Sequence, residues 1–458
     1  MKLPRALTIA GSDSGGGAGI QADLKTFTTL GVYGMTAITA TTAQNTLEVK
    51  ESFELPAELV KAQIEAVVED IGVDAAKTGM LYSSRIIEAV AESLSGCGFP
   101  LVVDPVMVAK SGAVLLKPEA VAALKRRLFP LATLVTPNRA EAERLSGLKI
   151  SGLKEAVEAA ERIAEETGVE AVLVKGGHLE GEESIDILYR KGEVKRYASP
   201  RIETRNLHGS GCSFSAAIAG WLAKGESLPE AVGKAKIFIT EAIRFGFPLG
   251  KGFGPVNPAV WLQLPAEKFH VLAKLSEAVE RLEEAGETFA RLMPEVQMNL
   301  AYALPKPYAR TVEDVAAIPG RIVKIDGRVK ASAPPRFGAS SHLARALLKM
   351  MEFNPEARAA INLRFDRRLV EAAEALGFKV SSYRREEEPE EVKRVEGATI
   401  PWGIESAVRR LGEPPDLVYH LGGHGKEPMI NLFGRDPVEV VEKALKLAAR
   451  AGLTPAKP

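Results

Sequence analysis

The sequence predicts two α/β domains, the first built on a mostly parallel sheet with helices on both faces. The chain has 458 residues, more than one hydrophobic core usually organises. From residue 7 to about residue 242, short apolar runs alternate with longer stretches whose apolar residues recur at helical spacing. Residues 251–265 are rich in Gly and Pro and have no periodicity, so we interpret them as the end of the first domain and a linker.

The first region contains both buried-strand and amphipathic-helix patterns. Strands are predicted at residues 7–10, 37–41, 75–78, 101–103, 134–136 and 171–174. Helices are predicted at residues 57–69, 83–94, 118–128 and 153–166. Continuous apolar strands separated by such helices are typical of a parallel sheet covered on both faces. Ligands of these sheets bind at the carboxyl ends of the strands, so we expect the site there.

The second region repeats the alternation on a smaller scale. Its predicted helices are residues 267–292, 340–351, 367–376 and 403–411. Its predicted strands are residues 296–303, 359–364, 379–383 and 417–421, with a hairpin at 321–329 turned by Asp326-Gly327. The charge run Arg384–Arg394 alternates in sign and predicts a solvated loop. We place the domains at residues 1–265 and 266–458.

Composition narrows the classes of partner. The 59 basic residues balance 59 acidic ones, whereas nucleic-acid and membrane surfaces require a basic excess. Two cysteines are too few for a disulfide framework, and no run of eighteen apolar residues predicts a membrane span. Asp13 ends the apolar run near the N-terminus too early for a signal peptide. We therefore expect a cytoplasmic protein that binds small molecules and forms a homo-oligomer.

The strongest local motif is Gly209-Ser210-Gly211-Cys212, which directly precedes the apolar helical stretch 214–222. Glycines there let main-chain N–H groups converge at a helix N-terminus, which favours an anion such as a phosphoryl group. A plain helix cap is the alternative. A thiol at such a terminus is expected to have a lowered pKa, so Cys212 can accept a proton from a substrate hydroxyl. For Cys97 we prefer a buried, inert role.

Further motifs lie at other strand ends. The loop Gly11–Gly19 is rich in glycine but lacks the ending of a Walker motif. Asn138 and Glu141 are one helical turn apart, so their oxygens could hold hydrated Mg²⁺, or Asn138 could simply cap the helix. Lys175 and Asp104 end two other strands.

Taken together, the first region resembles the ribokinase-like kinases and, within them, hydroxymethylpyrimidine and hydroxymethylpyrimidine-phosphate kinase. The resemblance is carried, in order, by residues 10–23, 104–107, 136–138, 174–178 and 209–212. It implies a three-layer αβα sandwich and two successive phosphoryl transfers from ATP with Mg²⁺, first to the hydroxymethyl group and then to the monophosphate.

The resemblance also implies roles for individual residues. The anion hole would be formed by Gly209, Ser210, Gly211 and Cys212, with Cys212 as the base where sugar kinases usually have Asp. The pyrimidine would contact Gly11, Asp23, Gln44 and Met80. The nucleotide would lie by Lys175, Lys236, Asn138 and Glu141, of which Asn138 and Glu141 would organise Mg²⁺ through water.

The second region resembles the archaeal-type thiamine-phosphate synthase domain. The similarity is carried by residues 296–303, 319–321, 338–345 and 422–425. It implies that Arg321 and His342 are catalytic, and that pyrimidine diphosphate is joined to thiazole phosphate with release of pyrophosphate. Arg321, Lys426 and Mg²⁺ would stabilise the departing pyrophosphate. From the residues alone, 338–343 could be an ordinary capped helix start and 422–427 a flexible turn.

Two alternatives stay open. The first region could be a pyridoxal kinase, since that enzyme shares the fold and sometimes the cysteine. The second could be a ligand-sensing domain that binds thiamine phosphate without catalysis, although the chain has no basic recognition helix of the kind that repressors carry. A non-enzymatic scaffold would leave five ligand-oriented motifs without a use.

Overall fold

The computed structural model describes residues 3–108, 112, 115–177, 181–423 and 425–455. The described chain divides into two compact units, unit 1 at Met1–Leu262 and unit 2 at Gln263–Pro458. In this part of the chain, no helix combines the length and the apolar character that crossing a bilayer requires.

Unit 1 is organised around one sheet, which has nine strands within the described ranges. They are β1 (Arg5–Asp13), β2 (Tyr33–Gln44), β3 (Val49–Glu54), β4 (Ala75–Thr78), β5 (Leu101–Val103), β6 (Leu134–Val135), β7 (Ala171–Val174), β8 (Glu183–Arg190) and β9 (Glu193–Pro200). Their order is β3-β2-β1-β4-β5-β6-β7-β8-β9. In this spatial order, each strand from β2 through β1, β4, β5 and β6 to β7 pairs in parallel with the next. The pairs β2–β3, β7–β8 and β8–β9 are antiparallel. The predicted mostly parallel sheet is confirmed.

The helices of unit 1 lie on both faces of this sheet. They are α1 (Gly19–Thr29), α2 (Ala57–Asp70), α3 (Ser84–Leu94), α4 (Ala120–Ala123), α5 (Arg139–Ser146), α6 (Leu153–Thr167), α7 (Ser210–Ala223) and α8 (Leu228–Arg244). Side chains that alternate along a strand enter opposite cores: Leu7 and Ile9 pack with α2 and α3, whereas Ala6 packs with α1 and α7. The αβα sandwich follows from this alternation.

Some elements of unit 1 differ from the pattern-based prediction. The helix expected at 118–128 is α4 continued by a π-helical turn, Leu124–Leu128. The antiparallel strands β3, β8 and β9 were not predicted. The side chains of β3 and β9 are largely exposed and polar, so these two strands lack the apolar run on which the prediction relied. Strand β8 does have a buried apolar run, at residues 187–189, and was missed in spite of it.

Unit 2 contains a second, mostly antiparallel sheet. In the described chain its strands are β10 (Leu300–Ala303), β11 (Val315–Ala317), β14 (Arg336–Phe337), β15 (Ala359–Arg364), β16 (Val380–Ser382), β17 (Leu417–His420) and β18 (Met429–Gly434). Their order is β14-β11-β10-β15-β18-β17-β16. A separate hairpin pairs β12 (Ile322–Ile325) with β13 (Arg328–Ala331), as the Asp326-Gly327 turn predicts. The second α/β region is thus confirmed.

Helices cover the sheet of unit 2 and enclose one apolar core. They are α9 (Val260–Glu284), α10 (Gly286–Leu292), α11 (Ser341–Phe353), α12 (Arg367–Ala375), α13 (Glu390–Lys393), α14 (Thr399–Leu411) and α15 (Pro437–Arg450). The sequence pattern missed α15 and β18, which both pack into this core.

Three local predictions in this region are corrected. Helix α9 begins within the predicted linker and includes Pro265 in its interior. The strand predicted at 296–303 starts only at residue 300, because Gln297 has a φ of 68° and breaks the extended path. The charge run at 384–394 contains a 3₁₀ turn and the short helix α13 rather than irregular loop alone.

Candidate active sites

A cavity of about 450 Å³ lies at the carboxyl edge of the parallel strands of unit 1. The residues that line it follow consecutive strands: Asp13, Gln44, Met80, Asp104, Asn138 and Lys175. The expectation that ligand-facing groups meet at this edge therefore agrees with the geometry. The volume is within the range of small-molecule sites.

Two glycine-containing loops close one wall of this cavity. Gly209 is the N-cap of α7 and has a φ of 77°. A Cβ at Gly209 would overlap the carbonyl oxygen of Gly17 in the opening loop. Only glycine therefore allows the two loops to touch. The first-turn N–H groups of α7, which have no intrahelical acceptors, lie at the cavity together with Gly211 and Cys212.

Cys212 lies at the start of α7 and lines the cavity. Burial raises the pKa of its thiol to about 11, although the Lys77 ammonium and an N–H donated by Gly19 act in the opposite direction. The expected lowered pKa is therefore wrong, because loss of hydration outweighs the nearby donors and the charge of Lys77. Cys97 donates to the carbonyl of Ser93 at 3.6 Å, and burial raises its pKa too.

A buried ion pair lies behind Cys212. The Lys77 ammonium is 2.7 Å from Asp23 Oδ2, and both side chains are fully buried. Asp23 also accepts a hydrogen bond from Thr8 Oγ1 at 2.6 Å. Burial opposes the charge on Lys77, but Asp23 and Cys212 raise its pKa, so the ammonium persists. Lys77 lines the cavity whereas Asp23 does not, so the expected contact between Asp23 and the pyrimidine is not available in this structure.

A second ion pair lies close to Gly211, on the side where this residue has no side chain. Lys175 Nζ is 2.9 Å from Asp104 Oδ1, and both residues line the cavity. A Cβ on Gly211 would lie 3.5 Å from Lys175 Nζ. Burial opposes the charge on Lys175, but Asp104 and Glu141 raise its pKa, so it remains a cation.

Asn138 and Glu141 form a reciprocal capping box at the start of α5. Asn138 therefore caps the helix, which is the alternative to Mg²⁺ binding that the sequence left open. Glu141 N–H donates to Asn138 Oδ1 at 3.0 Å, and Asn138 N–H donates to Glu141 Oε2 at 2.8 Å. The other Glu141 oxygen accepts the N–H of Met107 at 3.2 Å. Burial raises the pKa of Glu141, with Lys175 opposing. Both capping residues also line the cavity, so capping does not remove them from the site.

The far end of the cavity contains a third cation. Lys236 on α8 is 2.8 Å from Asp186 Oδ2 and donates to Ser184 Oγ at 3.2 Å. Asp186 in turn accepts the N–H of Gly176 at 2.8 Å. Ile239 and Ile243, one and two turns after Lys236, add an apolar wall suited to a flat ring. His178, in the same motif as Lys175, lies outside the described residues.

The opposite end combines an apolar contact with a polar edge. Met80 packs directly against the open face of Gly11, whose missing side chain leaves room for it. Gln44 ends β2, and its side chain lies within 3.4 Å of His208 Nε2. His208 Nε2 is also 2.9 Å from Asp13 Oδ2. Gly11, Gln44, Met80 and His208 all line the cavity.

In unit 2, basic side chains gather around His342 at the start of α11. Partial burial of the ring lowers the pKa of His342, and the positive charges of Lys426, Arg345, Arg321 and Arg385 lower it further. The imidazole is therefore neutral near pH 7. Within the described chain, none of these four cations forms a salt bridge with a carboxylate. We call these five residues the His342 cluster.

The loops that carry this cluster have defined geometry. Arg321 has a φ of 70°, directly after Gly320, and its guanidinium donates to the carbonyl of Val296. Gly423 and Lys426 exchange main-chain hydrogen bonds of 3.1 and 3.0 Å. This tight turn therefore uses the amides of Gly423 and Lys426 internally. His424 lies outside the described residues.

Several cavity residues were not singled out from sequence. Lys77 is a lysine within an otherwise apolar strand, and that mismatch was a usable signal. His208 directly precedes the Gly209 motif, and its neighbours offered no separate clue. Asp186 lies in a stretch for which no element was predicted. Arg385, of the His342 cluster, lies in the charge run interpreted as a solvated loop, where charge carries little information.

Comparison with known proteins identifies both units. Residues 13–257 match the sequence model of phosphomethylpyrimidine kinase, and residues 274–446 match that of thiamine-phosphate synthase ThiN. The hydroxymethylpyrimidine/phosphomethylpyrimidine kinase of Streptomyces coelicolor is 49% identical over 56% of this chain and 94% of its own. The thiamine biosynthesis bifunctional protein ThiED of Geobacter sulfurreducens is 54% identical over 55% of this chain. The chain spans about half the length of that relative, 51%.

Solved structures show the same fold for unit 1. The ADP complex of Bacillus subtilis pyridoxal kinase is 41% identical, covers 57% of this chain and all of its own, and gives a TM-score of 0.53. Staphylococcus aureus pyridoxal kinase with AMP-PCP and pyridoxal is 37% identical over 58% of this chain and 96% of its own, with a TM-score of 0.53. The ribokinase-like fold is confirmed. The chain belongs to the phosphomethylpyrimidine kinase family and carries a ThiN thiamine-phosphate synthase domain that follows the kinase domain in the sequence.

Proposed function

We propose that unit 1 transfers the γ-phosphoryl group of ATP to 4-amino-5-hydroxymethyl-2-methylpyrimidine and then to the resulting monophosphate. Unit 2 then joins the diphosphate to hydroxyethylthiazole phosphate, forming thiamine phosphate and pyrophosphate. The observation that carries the kinase assignment is the meeting, in one cavity, of the α7 amides at Gly211 and Cys212 with Lys175.

The transferring group would sit between these donors. Phosphoryl transfer depends mainly on positioning and on stabilising negative charge, which spreads over the three equatorial oxygens. First-turn amides of α7 point at such an anion without reorganising. Lys175 supplies a fixed positive charge opposite Gly211, and Lys236 is suited to the remaining phosphates at the far end.

Cys212 is the proposed base for the first transfer. Its thiol is predominantly protonated near neutral pH, because its pKa is raised to about 11. The thiolate fraction that takes up the hydroxyl proton is therefore small, and Lys77 stabilises that anionic form. The second acceptor is a phosphate that is already ionised, so it needs no such base.

Mg²⁺ fits the residues that line the cavity near the capping box. Glu141 has a buried carboxylate in which each oxygen accepts one N–H, leaving lone pairs for a hydrated cation. Glu141 and Asn138 are the residues that would hold Mg²⁺, through water. Mg²⁺ bound to the nucleotide would neutralise charge on its phosphate oxygens.

The pyrimidine would occupy the end of the cavity formed by Gly11, Gln44 and Met80. Met80 packs against Gly11 and gives this end of the cavity an apolar side chain against which a flat ring could lie. Gln44 provides an amide edge for the ring nitrogen and the neighbouring amine. Asp23 acts instead through Lys77, because it is sealed behind that lysine.

The proposed synthase site is the His342 cluster. Release of pyrophosphate generates several negative charges, and four cations without carboxylate partners among the described residues can neutralise them. A neutral His342 can accept a hydrogen bond or a proton, which an imidazolium cannot. Arg321 and His342 keep the roles expected for them, and Arg345 and Arg385 join them.

The decisive experiment supplies the whole chain with ATP, Mg²⁺, the pyrimidine alcohol and thiazole phosphate. Thiamine phosphate is expected as the product, with pyrophosphate released in equal amount. Formation of pyrimidine diphosphate without thiamine phosphate would leave unit 2 as a ligand-binding domain. No phosphorylation of the alcohol would overturn the kinase assignment.

Pyridoxal is a second candidate substrate for unit 1, because solved pyridoxal kinases share its fold at 37–41% identity. Pyridoxal lacks an amine beside a ring nitrogen, which the Gln44 edge is suited to recognise. A comparison of kcat/KM for the two alcohols under identical conditions separates the candidates. The pyrimidine is expected to be preferred. We further propose that the assembly is a homo-oligomer.

A further inference from the structure

His208 lines the unit 1 cavity and contacts Asp13 in the opening loop, and the proposed phosphoryl transfer gives this contact no role. Asp13 accepts main-chain N–H bonds from Gly15 at 2.8 Å, Gly17 at 3.0 Å and Ala18 at 2.8 Å. Burial raises its pKa, but the bonds from His208 and the loop amides outweigh burial and lower it. Asp13 is therefore an ionised carboxylate that can only accept.

This carboxylate fixes the proton on His208. His208 Nε2 lies 2.9 Å from Asp13 Oδ2. Because Asp13 has no hydrogen to give, Nε2 must carry the N–H and donate it. A Cβ at Gly17 would overlap the His208 ring, so glycine at this position is what admits the imidazole to the contact.

The fixed N–H in turn determines how the Gln44 amide is oriented. In one orientation Gln44 Nε2 faces His208 Nε2 at 3.4 Å, which would set two donors against each other. In that orientation Gln44 Oε1 faces Thr42 Oγ1 at 3.3 Å, yet the single Thr42 hydroxyl hydrogen is already given to Ser12 O at 3.0 Å. Neither contact is satisfied.

Rotation of the amide by half a turn removes the contact between two donors without moving a heavy atom appreciably. Oε1 of Gln44 then faces the Nε2–H of His208, which it shares with the nearer Asp13 Oδ2, and Nε2 of Gln44 donates to Thr42 Oγ1. One N–H of Gln44 remains, together with one lone pair of Oε1. These remaining sites form an edge in which the positions of donor and acceptor are fixed.

We infer that His208 is a positioning residue which, held by Asp13, locks the Gln44 amide in one orientation and thereby selects the amino form of the pyrimidine edge. The inference rests on the proposed function and names its specificity determinant. An aminopyrimidine presents a ring nitrogen acceptor beside an amine donor. The corresponding 4-oxo compound presents the reverse order, N–H beside C=O, and would require the amide to be turned over.

The test compares the amino and 4-oxo pyrimidine alcohols as substrates of the whole chain. Wild type is expected to favour the amino compound strongly. His208→Phe keeps a ring but removes the N–H, so the amide can rotate. We expect the ratio of kcat/KM, 4-oxo over amino, to rise roughly tenfold to a hundredfold, since a mismatched polar pair costs about 1–3 kcal/mol. His208→Gln, which can return an N–H to a similar place, is expected to restore the wild-type preference.

A purely structural role for His208 would lower both activities together and leave the ratio unchanged, which would overturn the inference. Wild type that phosphorylates neither alcohol would instead refute the proposed function, so the two failures are distinct. Should His208→Phe not fold, ¹⁵N NMR of histidine-labelled wild type still decides. A His208 ring protonated on Nε2 is expected, and a neutral ring protonated only on Nδ1 would contradict the lock.

Discussion

The two proposed active sites handle charge in opposite ways. In unit 1 each basic side chain that lines the cavity has an acidic partner: Lys77 with Asp23, Lys175 with Asp104, Lys236 with Asp186, and His208 with Asp13. In unit 2 the four cations of the His342 cluster have no carboxylate partner in the described part of the chain.

The difference follows from burial and from the ligand. A buried cation is costly unless it is paired, so the cavity of unit 1 holds its charges ready in fixed ion pairs. In unit 2, Arg321 and Lys426 are exposed, whereas Arg345 and Arg385 are partly buried, and a bound diphosphate would neutralise all four cations. The comparison indicates that unit 1 has a rigid site for the phosphoryl group that is transferred. Unit 2 has a less rigid site for the departing pyrophosphate.

The rigidity of unit 1 is tested most severely at the contact between its glycine loops. Gly209→Ala would force α7 away from Gly17, because its Cβ overlaps a carbonyl oxygen. We expect kinase kcat to fall by about a thousandfold, as when an oxyanion donor is lost, with synthase activity unchanged. Gly225→Ala is the matched control, since Gly225 has a φ of 87° but nothing near its Cβ. Similar kinase losses in both variants would refute the contact.

The free energy of unfolding should depend more on the paired cations of unit 1 than on the unpaired cations of unit 2. Lys77→Met leaves Asp23 buried without its counter-charge and is expected to cost about 3–5 kcal/mol of unfolding free energy. Lys426→Met, at an exposed cation, is expected to change stability by less than about 0.5 kcal/mol. Denaturant unfolding followed for each unit measures both. Equal losses would contradict the contrast drawn between the sites.

Removal of the proposed base should affect one kinase step more than the other. Cys212→Ala is expected to slow phosphorylation of the alcohol by about a hundredfold, the usual contribution of a general base, and phosphorylation of the monophosphate far less. Single-turnover measurements with each acceptor resolve the steps, and Cys97→Ala serves as the cysteine control. Equal losses in both steps would remove Cys212 as the base.

The pH dependence should show the same difference between acceptors. Cys212 has a pKa of about 11, and its active form is the thiolate, so activity must rise with pH below that value. The first transfer is expected to accelerate roughly tenfold per unit from about pH 7 to about pH 9, whereas the second should be nearly flat. A first transfer that is flat over this range would show that the thiolate does not limit it.

Ionic strength should distinguish the units by a smaller factor. Exposed, unpaired cations are screened by salt more than buried pairs are. Between about 50 mM and about 300 mM salt, we expect the KM of unit 2 for pyrimidine diphosphate to rise about fivefold, and the KM for ATP by less than about twofold. The reverse order would indicate that the His342 cluster does not bind the diphosphate.

Sequence patterns predicted the central parallel strands well and the edges poorly. Strands such as Leu101–Val103 and Ala171–Val174 are buried on both sides and are therefore continuously apolar. Strand Glu193–Pro200 packs few of its side chains and shows no such signal. In unit 2, β18 and α15 were not predicted, although α15 has clear apolar spacing at Val440, Ala444 and Leu447.

The candidate sites show a similar division. Motifs that bring glycine and chemistry-bearing residues to strand ends, such as Gly209–Cys212, led directly to the cavity. Spacing could not reveal that Asp23 is sealed behind Lys77, since that depends on helix α1 and strand β4 meeting in three dimensions. The pKa of Cys212 was predicted in the wrong direction, because a helix terminus was considered without the burial that accompanies it.

The account depends most on the α7 amides as the binding place of the transferring phosphoryl group. A crystal structure with ADP, Mg²⁺, the pyrimidine alcohol and aluminium fluoride would test it directly. We predict the planar fluoride between the two ligands, about 3 Å from the main-chain nitrogens of Gly211 and Cys212. A fluoride held elsewhere, with those nitrogens facing solvent or protein, would contradict it.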